Sequence, residues 1–581
     1  MFDEVTLLPM SSRSVRAKVE AFLERNGLRP APLDCYAAIL DDDERIVAGG
    51  GLDGDVIKCV AVSEEARSGG CTNKLISFLV NRAVQQGYGS VKVFTKPSNA
   101  AVFGSLGFSL LASAPEAVLM ENGRIGLNGY ERYLSGLRRP GRNGVIVMNA
   151  NPFTLGHRYL VEQASRKVDN LYVIAVKEDR SRFPYAERKA MIAEGCESFG
   201  NVTVCEGSDY VISQATFPTY FLKKLEDAAD TQMALDLDLF ATRIAPALGA
   251  GVRFAGSESA DPLTGRYNSL MAEILPKHGI AFEEIGRLGD SAGPVSASRV
   301  REALDAENLA GALALCPAST AAYLLSECAV CSLQKELDAT PKPGLVDKAH
   351  SGSHHDMDYA MMSLSIKALR PFFTTISLYG KTAAPDPAAL RAIGIEAEKA
   401  MFGATGGVNT HKGALFCMGL SVCAAADCLR RDAGIGIGPV RSAVRLLAAG
   451  IPAANGTHGA DAVERYKVAG ALQQAREAWP RLFSDWLPFY RSLGGDPFRM
   501  QKTLLRIMSD LDDTNVIHRL GAGRAAEVKE EAASLLRNFT PEGLEAMDKE
   551  FMDEGISPGG SADMLSLTIF YNTITNQQLI L

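Results

Sequence analysis

The sequence predicts a multidomain protein: an α+β unit first, then a doubly wound α/β domain built on a parallel sheet, then an all-α domain. Three observations predict it. The chain has 581 residues, too many for one hydrophobic core. Between about 138 and 317, short apolar and β-branched runs alternate with helical stretches, as a parallel sheet covered by helices requires. From about 318 onward strands fade, Ala, Leu and Met rise, and apolar residues recur at helical spacing. The expected domains are therefore 1–137, 138–317 and 318–581. About 260 residues beyond Pro317 are enough for a core of their own.

Composition excludes several function classes. Hydrophobic residues make up 47% and charged residues 22%, as in a globular protein. A net charge of −8 without a long Lys/Arg run argues against a nucleic-acid partner, and the short cluster Arg138, Arg139, Arg142 does not change that. No stretch of about 18 apolar residues appears, and the start, MFDEVTLLPM, has neither a basic nor a hydrophobic signal region. The expectation is a cytoplasmic protein with no membrane contact. Eleven irregularly spaced cysteines fit free thiols better than a disulfide framework. Cys328 and Cys331 have redox or metal spacing, but they sit in a helical stretch with no second pair nearby, so core packing is expected.

In the first unit, alternation in Tyr36–Leu40 and Arg45–Gly49, an apolar run Val56–Val62, a helical stretch Asn73–Gln86 and a strand Ser90–Thr95 make the α+β pattern. Arg67-Ser-Gly-Gly-Cys-Thr72 and Phe103-Gly-Ser-Leu-Gly-Phe108 resemble the acetyl-CoA turn and closing block of GNAT acetyltransferases, with Thr72 in place of the turn's last small residue. The resemblance implies a GNAT-like fold more than an acetyl-CoA site. Gly136–Gly144, basic and rich in Gly and Pro, is the linker to the next domain.

The second domain opens with Val145-Ile-Val-Met-Asn-Ala-Asn-Pro-Phe-Thr-Leu-Gly-His-Arg-Tyr-Leu160. Val145–Met148 reads as a buried parallel strand, and the polar segment after it must turn into a helix near Leu155. Backbone N–H groups at such a helix start favour anions, and His157 adds a donor there. Further strands are expected at Leu171–Val176, Val202–Cys205, Met233–Leu237, Arg253–Ala255 and Phe282–Ile285, with a helix over Tyr185–Glu194. Asn151 and His157 should meet Lys177 at the carboxyl ends of the strands, and Lys177, Arg182 and Arg188 are candidates to neutralise a triphosphate.

Thr154-Leu-Gly-His157 resembles the T/H-x-G-H signature of nucleotidylyltransferases, and Val295-Ser-Ala-Ser-Arg-Val-Arg301 resembles their second phosphate signature. Asn151, Thr154, Gly156, His157, Lys177, Ser296, Ser298 and Arg301 are thereby implied in ATP binding, with His157 catalytic. Ser208–Leu222, Leu235–Phe240 and Thr264–Asn268 narrow the resemblance to the acetate:SH-citrate lyase ligase family over about residues 1–326. That family adenylylates acetate with ATP and passes the acetyl group to a thiol on the citrate lyase acyl carrier subunit.

In the last domain, helical stretches at Met361–Leu369, Leu415–Leu429, Ala462–Glu477 and Ala525–Leu536 are joined by polar segments. His350, His354, His355, His411, His458 and His518 fall in or beside these joints, six of the eight histidines in the chain. The joints are rich in Asp, Asn, Lys and Gly, which suits a nucleoside triphosphate with a divalent cation. Asp347, Asp356, Asp358, Asp512, Asp513 and Asp563 offer hard oxygen ligands for Mg²⁺. Lys342, Lys412 and Arg519 can screen phosphates, and glycines such as Gly344 let backbone N–H groups approach. Each Asp or Gly taken singly is also an ordinary helix cap. The histidines lack HExxH or another compact zinc spacing.

Thr340–Asp347, Gly407–Gly413, Asp512–Arg519 and Ser557–Asp563 resemble the ATP:dephospho-CoA triphosphoribosyltransferase family over roughly 318–581. The resemblance implies that the 2′-hydroxyl of 3'-dephospho-CoA displaces adenine from ATP. An acid and a base are then needed, and Asp356, Asp513 and His411 are the candidates, with roles open. Two alternatives stay open: the same activities serving malonate decarboxylase, or one half acting as an inactive scaffold that docks the carrier.

Overall fold

Alternation in the first unit becomes a seven-stranded mixed sheet in the computed structural model, which describes residues 4–576 apart from 67–69, 124, 179–180, 212–219, 222–227, 259–260 and 453–469. Its strands are β1 (Val5–Leu8), β2 (Cys35–Leu40), β3 (Ile46–Asp53), β4 (Val56–Val62), β5 (Ser90–Thr95), β6 (Ser109–Ser113) and β7 (Val118–Gly123), in the order β1-β2-β3-β4-β5-β7-β6. The expected helix after β4 runs Cys71–Gln85, but Arg67–Gly69 of the turn before it lie outside the described residues.

β4 and β5 are parallel and pair only at Val56 with Lys92 and Ile57 with Val93. Beyond that point the ladder stops, and the Tyr220 hydroxyl donates to the Phe94 carbonyl on β5 at 3.4 Å and meets the Cys59 backbone on β4. The Tyr220 carbonyl accepts from the Arg29 N–H at 3.1 Å. Tyr210, Tyr220 and Phe221 share one hydrophobic cluster with Tyr36, Cys59 and Phe94. Tyr210, Tyr220 and Phe221, far along the chain, therefore join the core of the seven-stranded sheet.

The second sheet consists of β8 (Asn143–Met148), β9 (Asn170–Ala175), β10 (Val202–Cys205), β11 (Ala250–Gly256) and β12 (Ala281–Ile285), all parallel, in the order β10-β9-β8-β11-β12. The order reverses at β8 and β11, which is where a doubly wound sheet opens a ligand crevice beyond its carboxyl ends. Five of the six expected strands are present. Met233–Leu237 is instead part of a helix, Ala228–Leu239. Leu235 and Leu239 belong to the cluster of the seven-stranded sheet, while Met233 and Leu237 belong to that of the five-stranded sheet. Residues two apart face opposite sides of a helix, so burial on both sides produced the alternation of a strand.

Those sheets lie in one compact unit, Met1–Val295, and a second unit spans Ser296–Leu581. The second is helical, beginning with two helices, Ala297–Asp305 and Leu309–Ala314. The expected stretches at 361–369, 415–429 and 525–536 fall within helices Tyr359–Thr382, Lys412–Arg430 and Thr514–Arg537. Most of Ala462–Glu477, and the joint carrying His458, lie outside the described residues. Among the described residues one helix, Lys412–Arg430, is long and apolar enough to cross a membrane; it is mostly buried, as a core helix of such a bundle would be. All eleven cysteines are free, and Cys331 donates to the Glu327 carboxylate at 3.0 Å.

Candidate active sites

The chain leaves β8 through Asn149 and enters helix Leu155–Ser165 at Thr154, whose side chain accepts from the His157 N–H at 3.3 Å. The Thr154 N–H in turn donates to His157 Nδ1 at 3.1 Å, and the Thr154 hydroxyl lies 2.8 Å from the same nitrogen. This is a capping box in which a histidine takes the place of the usual Glu or Gln. Because Nδ1 accepts, the neutral ring carries its hydrogen on Nε2. Burial first, and then the Arg287 charge, bring the imidazole down to about 4. His157 is thus a neutral donor at a helix N-terminus. Gly156 is required sterically, since a Cβ there would lie 2.5 Å from the Val295 carbonyl oxygen.

Asn151 accepts from the Phe183 N–H at 3.1 Å. Lys177, about half exposed, forms an ion pair with Asp209 at 3.5 Å. Arg182 sits half-buried before helix Tyr185–Cys196. Arg188 departs from its expected role as a phosphate cation. It is fully buried and donates to the carbonyls of Asn149, Val176 and Phe183 at 2.8, 2.9 and 3.0 Å, and also to that of Glu178. Those bonds fix the loops after β8 and β9, which sets where Asn151 and His157 stand. Arg287, whose charge acts on His157, was not singled out by the sequence, because it follows β12 without a motif of its own.

In the second unit Ser296 caps helix Ala297–Asp305, accepting from the Arg299 N–H at 3.3 Å, and Arg301 donates to the Ser298 hydroxyl at 3.0 Å. Serine and arginine of the second signature are therefore in direct contact.

The polar joints of the helical domain are held together by buried ionic contacts. Lys342, 1% exposed, donates to the Glu336 carboxylate at 2.5 Å and to the Glu336 carbonyl at 2.8 Å. Gly344, at φ +68°, donates its N–H to Asp548 at 2.9 Å, and a Cβ there would stand 2.1 Å from the Ile556 carbonyl oxygen. Asp548 also meets His350 Nε2 at 2.8 Å, and His354 Nε2 meets the Ser557 hydroxyl at 2.8 Å. Thr410 donates to Ser365 at 2.7 Å, and Ser365 lies 2.8 Å from His411 Nδ1. His411 Nε2 is buried with no hydrogen-bond partner. Burial and the Lys342 charge bring this imidazole down to about 3.

Asp513 caps helix Thr514–Arg537. It accepts from the N–H groups of Asn515 and Ser561 at 3.0 and 2.8 Å and from the Ser561 hydroxyl at 3.0 Å. Its carboxyl is nevertheless pushed up by burial. Asp563 is pushed well up by burial and by the charges of Asp513 and Glu336, and it occupies the space a Cβ on Gly413 would need. Glu336, Lys342, His411, Asp513 and Asp563 thus form one electrostatically coupled group drawn from four helix ends.

Of the other candidates, Asp347 bonds directly to a member of that group. Asp347 accepts from the N–H groups of Lys342, Ala349 and His350, and Asp358 caps helix Tyr359–Thr382. Asp356 is exposed, 3.6 Å from His354. Asp512 pairs with Lys529 at 2.5 Å, Lys412 pairs with Glu398 at 2.6 Å, and Arg519 is exposed. Among the described residues no three His, Cys, Asp or Glu side chains are grouped to hold a metal ion. Asp548 and Ser365 went unnoticed in the sequence because both lie inside helical stretches, where they read as a solvated charge and a small core residue.

Residues 143–324 match the citrate lyase ligase C-terminal domain, and residues 322–579 match ATP:dephospho-CoA triphosphoribosyl transferase. A citrate (pro-3S)-lyase ligase from Klebsiella pneumoniae is 43% identical over 317 residues, which cover 53% of this chain and 92% of the relative. A ligase of the same name from Escherichia coli (strain K12) is 39% identical, covering 55% of this chain and 94% of its own length. Over the other half, a 2-(5''-triphosphoribosyl)-3'-dephosphocoenzyme-A synthase from Haemophilus ducreyi is 36% identical, covering 42% of this chain and 87% of that protein.

Proposed function

The chain belongs to the citrate lyase ligase family over its first half and to the triphosphoribosyl-dephospho-CoA synthase family over its second, and from that premise we propose a bifunctional enzyme of citrate lyase maturation. The observation that carries this reading is the presence, in one chain, of two separate helix-start sites, each with a neutral histidine, half-buried His157 and buried His411. Ligase names among the relatives favour a citrate lyase carrier over a malonate decarboxylase carrier.

In the first reaction an acetate oxygen attacks the α-phosphorus of ATP and pyrophosphate leaves, giving acetyl-AMP. The carrier thiolate then attacks the acetyl carbonyl and AMP leaves. His157 donates through Nε2 to the phosphate oxygens and, being neutral, delivers no proton to pyrophosphate. Asn151, Thr154, Gly156 and Lys177 are proposed to bind ATP, and Ser296, Ser298 and Arg301 are proposed to bind its phosphates. The N-terminal unit is GNAT-like and is proposed to act as a carrier-facing module, not as an acetyltransferase.

In the second reaction the 2′-hydroxyl of dephospho-CoA attacks the anomeric carbon of ATP, the bond to adenine breaks, and the triphosphate stays on the ribose. One proton leaves the hydroxyl and one must reach adenine. Asp513, Asp356 and His411 are the groups proposed to handle them. Lys342, Gly344, Lys412 and Arg519 serve the triphosphate. Mg²⁺ would be held by one or two carboxylates among Asp347, Asp356, Asp358, Asp512 and Asp513. It would neutralise triphosphate charge. A three-domain division at 137 and 317 and a cytoplasmic location, in keeping with the free thiols, complete the proposal.

Two assays on the purified chain test it: acetate-dependent AMP formation with carrier bearing the prosthetic group, and adenine release from ATP with dephospho-CoA. Absence of either activity would leave the corresponding half as a scaffold.

A further inference from the structure

Helix Ala297–Asp305, which carries Ser298 and Arg301, ends in a Schellman cap: the Asn308 N–H donates to the Ala303 carbonyl at 2.8 Å and the Glu307 N–H to that of Leu304 at 3.1 Å. The left-handed position of such a cap ordinarily belongs to glycine. Here it is Glu307, at φ +56°. An L-residue is disfavoured in that conformation, so its side chain must be held by its surroundings.

The surroundings are specific. Glu307 is 7% exposed, and its Oε1 lies 2.8 Å from Lys335 Nζ and accepts from the Tyr490 hydroxyl at 3.1 Å. Its Oε2 accepts from Asn572 Nδ2 at 2.7 Å and from Arg499 at 3.4 Å, while its carbonyl accepts from Asn576 Nδ2 at 3.3 Å. The next residue, Asn308, caps helix Leu309–Ala314 by accepting from the Gly311 N–H at 2.8 Å. The turn is thereby fixed on both sides.

We propose that Glu307 is a positioning residue for acetate activation, clamping the end of the Ser298–Arg301 helix to the helical body and so setting where its phosphate-binding side chains stand. The inference rests on the reading that Ser296, Ser298 and Arg301 bind ATP. Glu307 lies in the segment matched by the ligase family, whereas Tyr490, Arg499 and Asn572 lie in the segment matched by the synthase family. The clamp is therefore a property of the joined chain, and it makes ATP use by the ligase reaction depend on the synthase half. A fragment cut near Pro317 loses Glu307 and leaves Tyr490 and Asn572 buried without their carboxylate.

The test uses the full-length chain and compares Glu307→Gly, Glu307→Gln and Arg301→Ala in acetate-dependent AMP formation. Glycine keeps the left-handed cap and removes the clamp, whereas glutamine keeps one acceptor oxygen, within reach of both Tyr490 and Asn572 when it takes the Oε2 position, but loses the charge. The KM for ATP should rise about tenfold or more in Glu307→Gly with kcat within about twofold, and glutamine should restore part of the loss. A KM unchanged in Glu307→Gly while Arg301→Ala raises it would overturn the inference and leave Glu307 as a structural tie. If Arg301→Ala also leaves KM unchanged, the phosphate reading of this helix fails first and the inference falls with it. Should Glu307→Gly not fold, Glu307→Gln decides alone: a raised KM at normal kcat supports the clamp and an unchanged one removes it.

Discussion

His157 and His411 occupy the same kind of place in two unrelated architectures, and each is kept neutral by burial reinforced by a nearby cation. They differ in what holds the ring. Nδ1 of His157 is held by its own helix cap, so a local sequence of four residues orients the imidazole. Nδ1 of His411 is held by Ser365, 46 residues earlier in the chain, itself oriented by Thr410. A strand-turn-helix motif is a self-contained device, whereas a bundle of helix ends works only once the bundle has assembled. The first site should therefore respond to local substitutions, and the second to changes in packing far from the chemistry.

The largest expected effect separates the two halves. His157→Ala should lower acetate-dependent AMP formation by about 10²- to 10³-fold, the scale for losing one preorganised donor to developing charge, while adenine release stays near normal. Loss of both activities at normal folding would mean that the comparison between separable sites is wrong. Asp513→Asn comes next, with adenine release reduced at least about 10²-fold and AMP formation preserved. Near-normal adenine release would mark Asp513 as a helix cap alone. Acetyl-CoA offered in place of ATP and acetate should give no carrier acetylation above background, as expected of a module that only faces the carrier. Robust acetylation from acetyl-CoA would return the N-terminal unit to the acetyltransferases.

The smallest effect is on stability against pH. Both histidines have folded values below the unfolded one, about 6.5, so between that pH and about 4 for His157, or about 3 for His411, the unfolded chain binds protons that the native state refuses. Stability should fall as pH drops through this window, with each imidazole contributing up to about 1.4 kcal/mol per pH unit. Thermal melts of His157→Gln and the parent chain between pH 7 and 4.5, conditions chosen to span the window, should converge as pH falls. Parallel curves would show that His157 is not held neutral.

Much was legible in the sequence because it is local. The strand-turn-helix at His157 and the cap at Ser296 each fit within a few residues, and helical spacing after 318 marks the bundle. Helix Ala228–Leu239 was not legible, because two cores on opposite faces imitate the alternation of a strand. Nor were the partners of Arg188, whose acceptors come from loops up to 39 residues away, or of Glu307, whose partners lie up to 269 residues away. Sequence by itself determined which chemistry each half carries, since motifs and periodicities are short-range. Only the tertiary structure decided which charged side chains serve that chemistry and which brace it, because a guanidinium or a carboxylate takes its role from partners that folding alone brings within hydrogen-bond reach.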